Sequence, residues 1–140
     1  MIVTLQEVND FFDDHLPFFI EFGFAVESIE DGVGVARFRY DQRWTRPYGV
    51  TNGGTLMALA DVAVYLAIFG RLGIVPLAVT NELKMNFLRP ATDGDVLARA
   101  ELLKVGRRIA YAAVDVFVDG APERLIAHAT ASYVLPDEAR

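Results

Sequence analysis

Fifteen consecutive residues, Thr55 to Phe69, carry one side chain that is charged at neutral pH, Asp61. Asn52 is an acceptable N-cap, Gly53 and Gly54 open a first turn, and Gly70 with Arg71 suits a C-terminus. The spacing therefore predicts a helix over 52–71. A helix apolar on nearly every face must be buried on nearly every face. The rival is a membrane span, but fifteen residues with a carboxylate near the middle are too few and too costly to cross a bilayer. Protein must wrap this helix, and the wrapped helix holds one acid.

The chain has 140 residues, which fits a single domain over 1–140 with room for a real core. Its apolar share of 53% is more than a small monomer can readily hide, so self-association is the expected outlet. A net charge of −6 offers no basic stripe for duplex nucleic acid, though a few local cations could still meet a small anionic ligand. The absence of cysteine excludes disulfides and thiolate metal sites. No basic segment followed by an apolar one marks a signal peptide at the N-terminus, so a cytoplasmic location is expected.

Thr4 and Glu7 form a capping box, and Leu5, Val8, Phe11 and Phe12 follow at helical spacing, which predicts a first helix over about 4–14. His15-Leu16-Pro17 breaks it. The aromatic run Phe18, Phe19, Phe22 and Phe24 then reads as a lid on the domain's edge. Between Phe24 and Tyr40 the period changes to two, with a turn at Glu30-Asp31-Gly32, giving a hairpin. A loop over 41–51 feeds the long helix. Four extended runs follow, over 77–88, 96–105, 109–118 and 125–135, separated by turns at Pro90 with Asp93-Gly94, at Gly106 and at Asp119-Gly120, before a polar tail. Consecutive strands joined by short turns are expected to pair antiparallel. An α+β architecture results, with one long helix laid on a curled antiparallel sheet and its remaining faces left for a second subunit.

Asp61 has apolar neighbours in Leu59, Ala60, Val62 and Ala63. Desolvation disfavours a charged carboxylate unless local donors oppose it, which makes such a group a candidate base or nucleophile. The plain alternative is a solvated acid in the N-terminal half of a helix. Asn52-Gly53-Gly54 is either a tight turn into the helix or an oxyanion hole built from the unpaired amides of its first turn. At about 1.5 Å rise per residue, Gly53 and Asp61 stand about 12 Å apart along the helix, too far to share one carbonyl. Two such helices packed antiparallel about a two-fold axis would bring Asp61 of one beside Gly53 and Gly54 of the other. His15 and His128 lack partners at metal-ligand spacing and read as structural. Arg89, Lys104, Arg107 and Arg108 lie near strand ends, either as solvated rim or as a site for the phosphates of an anionic substrate. Phe18, Phe19, Phe22, Trp44, Tyr48 and Tyr65 are either core or pocket lining.

The run Gly49-Val-Thr-Asn52-Gly-Gly-Thr-Leu-Met-Ala-Leu-Ala-Asp61 is followed by Val79-Thr-Asn-Glu-Leu-Lys-Met-Asn-Phe-Leu-Arg-Pro90 and Lys104-Val-Gly-Arg107. Together these resemble the hotdog-fold acyl-CoA thioesterases of the PaaI-like, phenylacetate-pathway type. The resemblance covers roughly 44–134. It implies a long central helix wrapped by a six-stranded antiparallel sheet, dimers that often pair into tetramers, and coenzyme A along the subunit interface as part of the substrate, with no other cofactor. It also implies that Gly53 and Gly54 supply oxyanion amides, that Asp61 is a catalytic acid acting across the interface, and that Thr80 lines the site. Arg89, Arg107 and Arg108 become candidates for CoA phosphates. Asn52 stands where the family usually has histidine, and Arg46 where it has asparagine. Asparagine donates hydrogen bonds but takes up no proton near neutral pH.

The leading expectation is hydrolysis of an acyl-CoA thioester at a site shared by two subunits, with no nucleic acid, membrane or metal involved. A hydroxyacyl-thioester dehydratase would need a histidine beside the acid, and none lies near 52–61. A non-catalytic acyl-thioester or lipid-binding module is the alternative from another class.

Overall fold

The apolar stretch is a helix, α3, spanning Gly53–Leu72. The structure, a computed structural model, describes residues 2–92 and 94–137; Asp93, expected in a turn, and 138–140, expected in the tail, lie outside the described residues. α3 begins as the sequence predicts. Asn52 is extended (φ −61°, ψ 136°) and its side chain caps the first turn. The helix ends later than predicted. Gly73, at φ +87°, is the stop, and its N–H bonds Phe69 O at 2.9 Å.

Gly70 continues the helix because its missing side chain serves packing. A Cβ there would lie 2.1 Å from the Glu30 carbonyl oxygen. Gly34 does the same from the sheet, where a Cβ would lie 2.5 Å from the Ala67 nitrogen. Helix and strands thus touch backbone to backbone. At 20 residues α3 is long and apolar enough to cross a bilayer by length and composition. Length therefore does not separate it from a membrane span, contrary to the count over 55–69; packing does. Leu59, Ala60, Ala63, Val64 and Leu66 to Phe69 have no exposed surface.

Six strands wrap α3: β1 (Phe24–Glu30), β2 (Val33–Phe38), β5 (Val79–Phe87), β6 (Val96–Val105), β7 (Ile109–Val118) and β8 (Leu125–Val134). Their spatial order is β1-β2-β6-β7-β8-β5, and every neighbouring pair is antiparallel. Small side chains line much of the inner face, with Ala98, Ala100, Ala112, Ala129 and Ala131 all buried, so the sheet can close tightly on the helix. The expectation that consecutive strands pair fails at one place. β5 and β6 follow each other in the chain but are not neighbours; β5 pairs with β8 and forms one edge of the sheet. β2 already offers its free side to β6, so the connection carries the chain across the sheet. β5 leaves its outer edge unpaired, with Val79 and Phe87 about half exposed.

The first helix, α1 (Leu5–His15), carries the expected capping box between Thr4 and Glu7. The aromatic run forms a second, short helix, α2 (Pro17–Glu21), which sequence spacing does not predict. Pro17 at its first position ends α1 and starts α2. Phe12 and Phe19 pack edge to face at 4.6 Å, anchoring both helices over α3. Within the expected loop, two-residue strands β3 (Thr45–Arg46) and β4 (Val50–Thr51) pair as a small hairpin. Tyr48 at its tip is in the left-handed region (φ 69°) and almost wholly exposed.

Candidate active site

Asp61 faces β5 and β8 from the middle of α3. Thr80 Oγ1 donates to Asp61 Oδ1 at 2.7 Å, and Tyr133 Oη lies 2.6 Å from the same oxygen. Tyr133 Oη is also 2.9 Å from the Asp61 carbonyl oxygen. Burial, reinforced by the neighbouring Asp61 charge, pushes the Tyr133 hydroxyl well above the usual phenol range, so it stays protonated and donates. The carboxylate is thus met by two hydroxyl donors, the local compensation that a partly buried acid requires.

A cavity of about 330 Å³ opens over Asp61. Thr80, Tyr65 and Tyr133 line its polar wall, and Phe12, Phe18 and Phe22 contribute to its apolar one. No Lys, Arg or His lines it among the described residues. Tyr65 donates its hydroxyl to Pro76 O at 2.9 Å, and burial raises it above the usual phenol range. α1 and α2 therefore supply a wall to this cavity rather than only an edge cover. Of the other aromatics, Phe19 also lines it, Trp44 packs on Phe22 at 4.9 Å, and Tyr48 points away at the hairpin tip.

The start of α3 lies in a second cavity, of about 450 Å³, lined by Arg46, Thr51, Gly53, Phe87, Arg89 and Pro90 among others. Asn52 Oδ1 accepts the Gly54 N–H at 2.7 Å, so in this conformation the Gly54 amide is occupied. The Gly53 N–H stands at the first helical position, where no carbonyl of the helix can reach it. One amide of the pair is therefore open. Close beside it, a Cβ at Gly53 would lie 3.3 Å from the Phe87 ring, so any larger residue there would press on that ring.

The structure thus sorts the expected residues into two groups. Asp61, Thr80 and Tyr65 come together at the Val79 end of β5. Asn52, Gly53, Gly54, Arg46 and Arg89 come together at its Phe87 end. Arg107 and Arg108 sit in the exposed β6–β7 turn, near the Val79 end, since Ile109 and Val79 both pair with Val134. Arg89 donates to Leu125 O at 2.5 Å. His15 packs on Phe11 with ring centres 4.9 Å apart, and His128 is 3.8 Å from Asp115 on β7; no group of three potential metal ligands exists among the described residues.

Tyr133 is the residue that spacing arguments miss. Its signal is parity. Ala127, Ala129, Ala131 and Tyr133 alternate onto the inner face of β8, and a large side chain with a polar tip among alanines must reach a partner on the helix.

A long helix wrapped by a curled six-stranded antiparallel sheet, with a carboxylate at mid-helix and an open amide at the helix start, defines the hotdog class of thioester-cleaving proteins. The chain belongs to the thioesterase superfamily, whose profile matches residues 48–125. It is 29% identical over 119 residues to 1,4-dihydroxy-2-naphthoyl-CoA hydrolase of Escherichia coli, covering 82% of this chain and 83% of that one. A variant of phenylacetic acid degradation protein PaaI from Thermus thermophilus superposes with a TM-score of 0.74 at 30% identity, over 86% of this chain and 99% of that one. Zebrafish thioesterase superfamily member 2 superposes at 0.82 with 26% identity, over 96% and 99%. The protein is a thioester hydrolase of the PaaI-like type.

Proposed function

We propose that the protein hydrolyses an acyl-CoA thioester to the free acid and CoA at a site that two copies build together. The observation that carries this reading is the arrangement along β5. Its unpaired edge has the Asp61–Thr80 group at one end and the Gly53–Phe87 group at the other. The strand's nine residues span roughly 26 Å, so within one chain the acid and the open amide serve different cavities. Two β5 edges paired antiparallel about Leu83 would lay Thr80 of each copy opposite Asn86 of the other. Asp61 of one copy then approaches Gly53 of its twin, and Arg107 and Arg108 of one approach Arg46 and Arg89 of the other. The pairing would also cover the partly exposed Met57, Val79 and Phe87.

In this arrangement the Gly53 N–H receives the negative charge that develops on the thioester oxygen. Asp61 either removes a proton from water as hydroxide adds to the carbonyl carbon, or adds to that carbon itself to give an anhydride that water opens. In both routes the C–S bond breaks and CoA leaves as the thiol. The aromatic cavity beside Asp61 takes the acyl group and the arginines take the CoA phosphates. A homodimer, or two dimers paired, working in the cytoplasm with CoA as part of the substrate completes the reading. The dehydratase alternative finds no histidine in the lining of either cavity.

The test is thiol release from a panel of aromatic and aliphatic acyl-CoA substrates by wild type and Asp61→Asn. The expected loss is at least ~100-fold. Equal rates would overturn the assignment, and tight binding of acyl-CoA without turnover by either protein would select the non-catalytic module.

A further inference from the structure

We propose that Tyr133 is a positioning residue for Asp61, fixing Oδ1 so that Oδ2 is the oxygen that meets water or the thioester. The inference rests on the role proposed for Asp61 above. Each carboxylate oxygen offers two lone-pair sites. On Oδ1 both are taken, by Thr80 Oγ1 at 2.7 Å and Tyr133 Oη at 2.6 Å. No described residue donates to Oδ2.

Two donors from two different strands, β5 and β8, hold the carboxylate against rotation. They are the polar contacts of that carboxylate in a cavity whose other walls are largely apolar. Around Asp61 the cavity is lined by Phe12 of α1, Phe18 and Phe19 of α2, Leu16 between them, Val79 and Thr80 of β5, and Tyr133 of β8. Among the described residues that line the cavity, Tyr65, one turn along α3, is the remaining titratable group, and its hydroxyl is committed to Pro76 O.

The second contact of Tyr133 gives this arrangement a working cycle. Its hydroxyl has one proton and two acceptors within reach, Oδ1 at 2.6 Å and the Asp61 carbonyl oxygen at 2.9 Å. While Asp61 is ionised, the hydroxyl donates to Oδ1. Once Oδ2 has taken a proton from water, the demand on Oδ1 falls and the hydroxyl turns to the carbonyl. Tyr133 is only 3% exposed, so a hydroxyl without an acceptor would be costly there. The second acceptor keeps it satisfied in both protonation states, and Tyr133 retains its own proton throughout.

The experiment measures kcat and KM against pH with the fastest substrate of the acyl-CoA panel. Tyr133→Phe keeps the ring and its packing and removes the hydroxyl. The expected result is a fall in kcat of roughly tenfold, KM within about twofold, and an acid limb of the kcat/KM profile moved to higher pH by about one unit. Replacing Tyr133 by 3-fluorotyrosine preserves shape and strengthens the donor, so the acid limb moves to lower pH. This second protein decides the matter if Tyr133→Phe does not fold. An acid limb unmoved in the folded variants, with only thermal stability changed, overturns the inference and leaves Tyr133 as packing. Asp61→Asn, assayed in parallel, separates the two ideas. If Asp61→Asn is inactive and the limb does not move, the Tyr133 inference alone falls. If Asp61→Asn turns over at the wild-type rate, both fall.

Discussion

Asn52 Oδ1 sits 2.7 Å from the Gly54 amide nitrogen, so one side chain both caps α3 and closes one of the two amides at its start. Replacing Asn52 by Ala removes the cap and is expected to lower stability by about 1 kcal/mol, whereas Asn52→Asp keeps an acceptor and retains it. Urea denaturation of the three proteins checks this. Equal midpoints for wild type and Asn52→Ala would show that the side chain contributes nothing to the helix start.

Gly53→Pro tests the open amide at a position whose backbone suits proline. Proline is favoured at the first helical position, and Asn52, at ψ 136°, already has the extended backbone that a residue before proline needs. The substitution deletes the N–H, and it also brings ring carbons beside Phe87, where a Cβ would lie 3.3 Å from the aromatic ring. A fall in kcat of ~10²- to 10³-fold in a folded protein is expected, against a much smaller fall for Gly53→Ala, which adds the Cβ and keeps the N–H. Mixing unfolded Gly53→Pro and Asp61→Asn proteins and refolding them together carries the idea further. Random pairing gives half heterodimers, each with one intact shared site, so about a quarter of wild-type activity returns. A site built within one chain would return none.

Gly70 and Gly34 hold helix and sheet at backbone contact. Gly70→Ala places a methyl group 2.1 Å from the Glu30 carbonyl oxygen, and neither the strand nor the helix has a flexible group there to give way. The expected loss is about 3 kcal/mol, although alanine is the better helix former. A stabilised Gly70→Ala protein in the same denaturation assay would show that the helix ends at that point.

Arg37 on β2 gathers three carboxylates. Its guanidinium meets Glu27 at 2.9 Å, Asp95 at 2.9 Å and Asp119 at 2.9 Å, tying β1 and β2 to the ends of β6 and β7. The Arg37 hydrogen bond holds Glu27 below its ordinary value of 4.5. A carboxylate depressed in the folded state adds stability above its unfolded value, and that contribution is lost as pH falls through the folded value. Arg37→Met should therefore be less stable than wild type at pH 7, with the difference narrowing as the medium is acidified below about pH 4.5. Urea midpoints across that range read it. An offset that stays constant with pH would assign the loss to packing alone.

Much of this was written locally. The capping box at Thr4 and Glu7, the N-cap at Asn52, the hairpin turn at Gly32 and the alternation of the strands all depend on residues a few positions apart, where propensity and period act directly. The demand that α3 be wrapped follows from its composition alone, as does the presence of one acid within it. The resemblance of the segments around Asn52 and Asn86 to known thioesterases reaches the family for the same reason: those motifs are contiguous.

Tertiary structure decided what no local period encodes. Gly70 looks like a helix stop until the Glu30 carbonyl is seen against it, because close approach between segments forty residues apart leaves no mark on spacing. β5 crosses to the far edge of the sheet because β2 takes β6, a competition among strands rather than a property of any one. The surroundings of Asp61 come from three elements. Thr80 and Tyr133 are 19 and 72 positions away along the chain, and only the closure of the sheet on α3 brings both hydroxyls to one oxygen. Sequence determined that a buried helix would carry a lone acid; folding determined which donors hold that acid and which of its oxygens is left free.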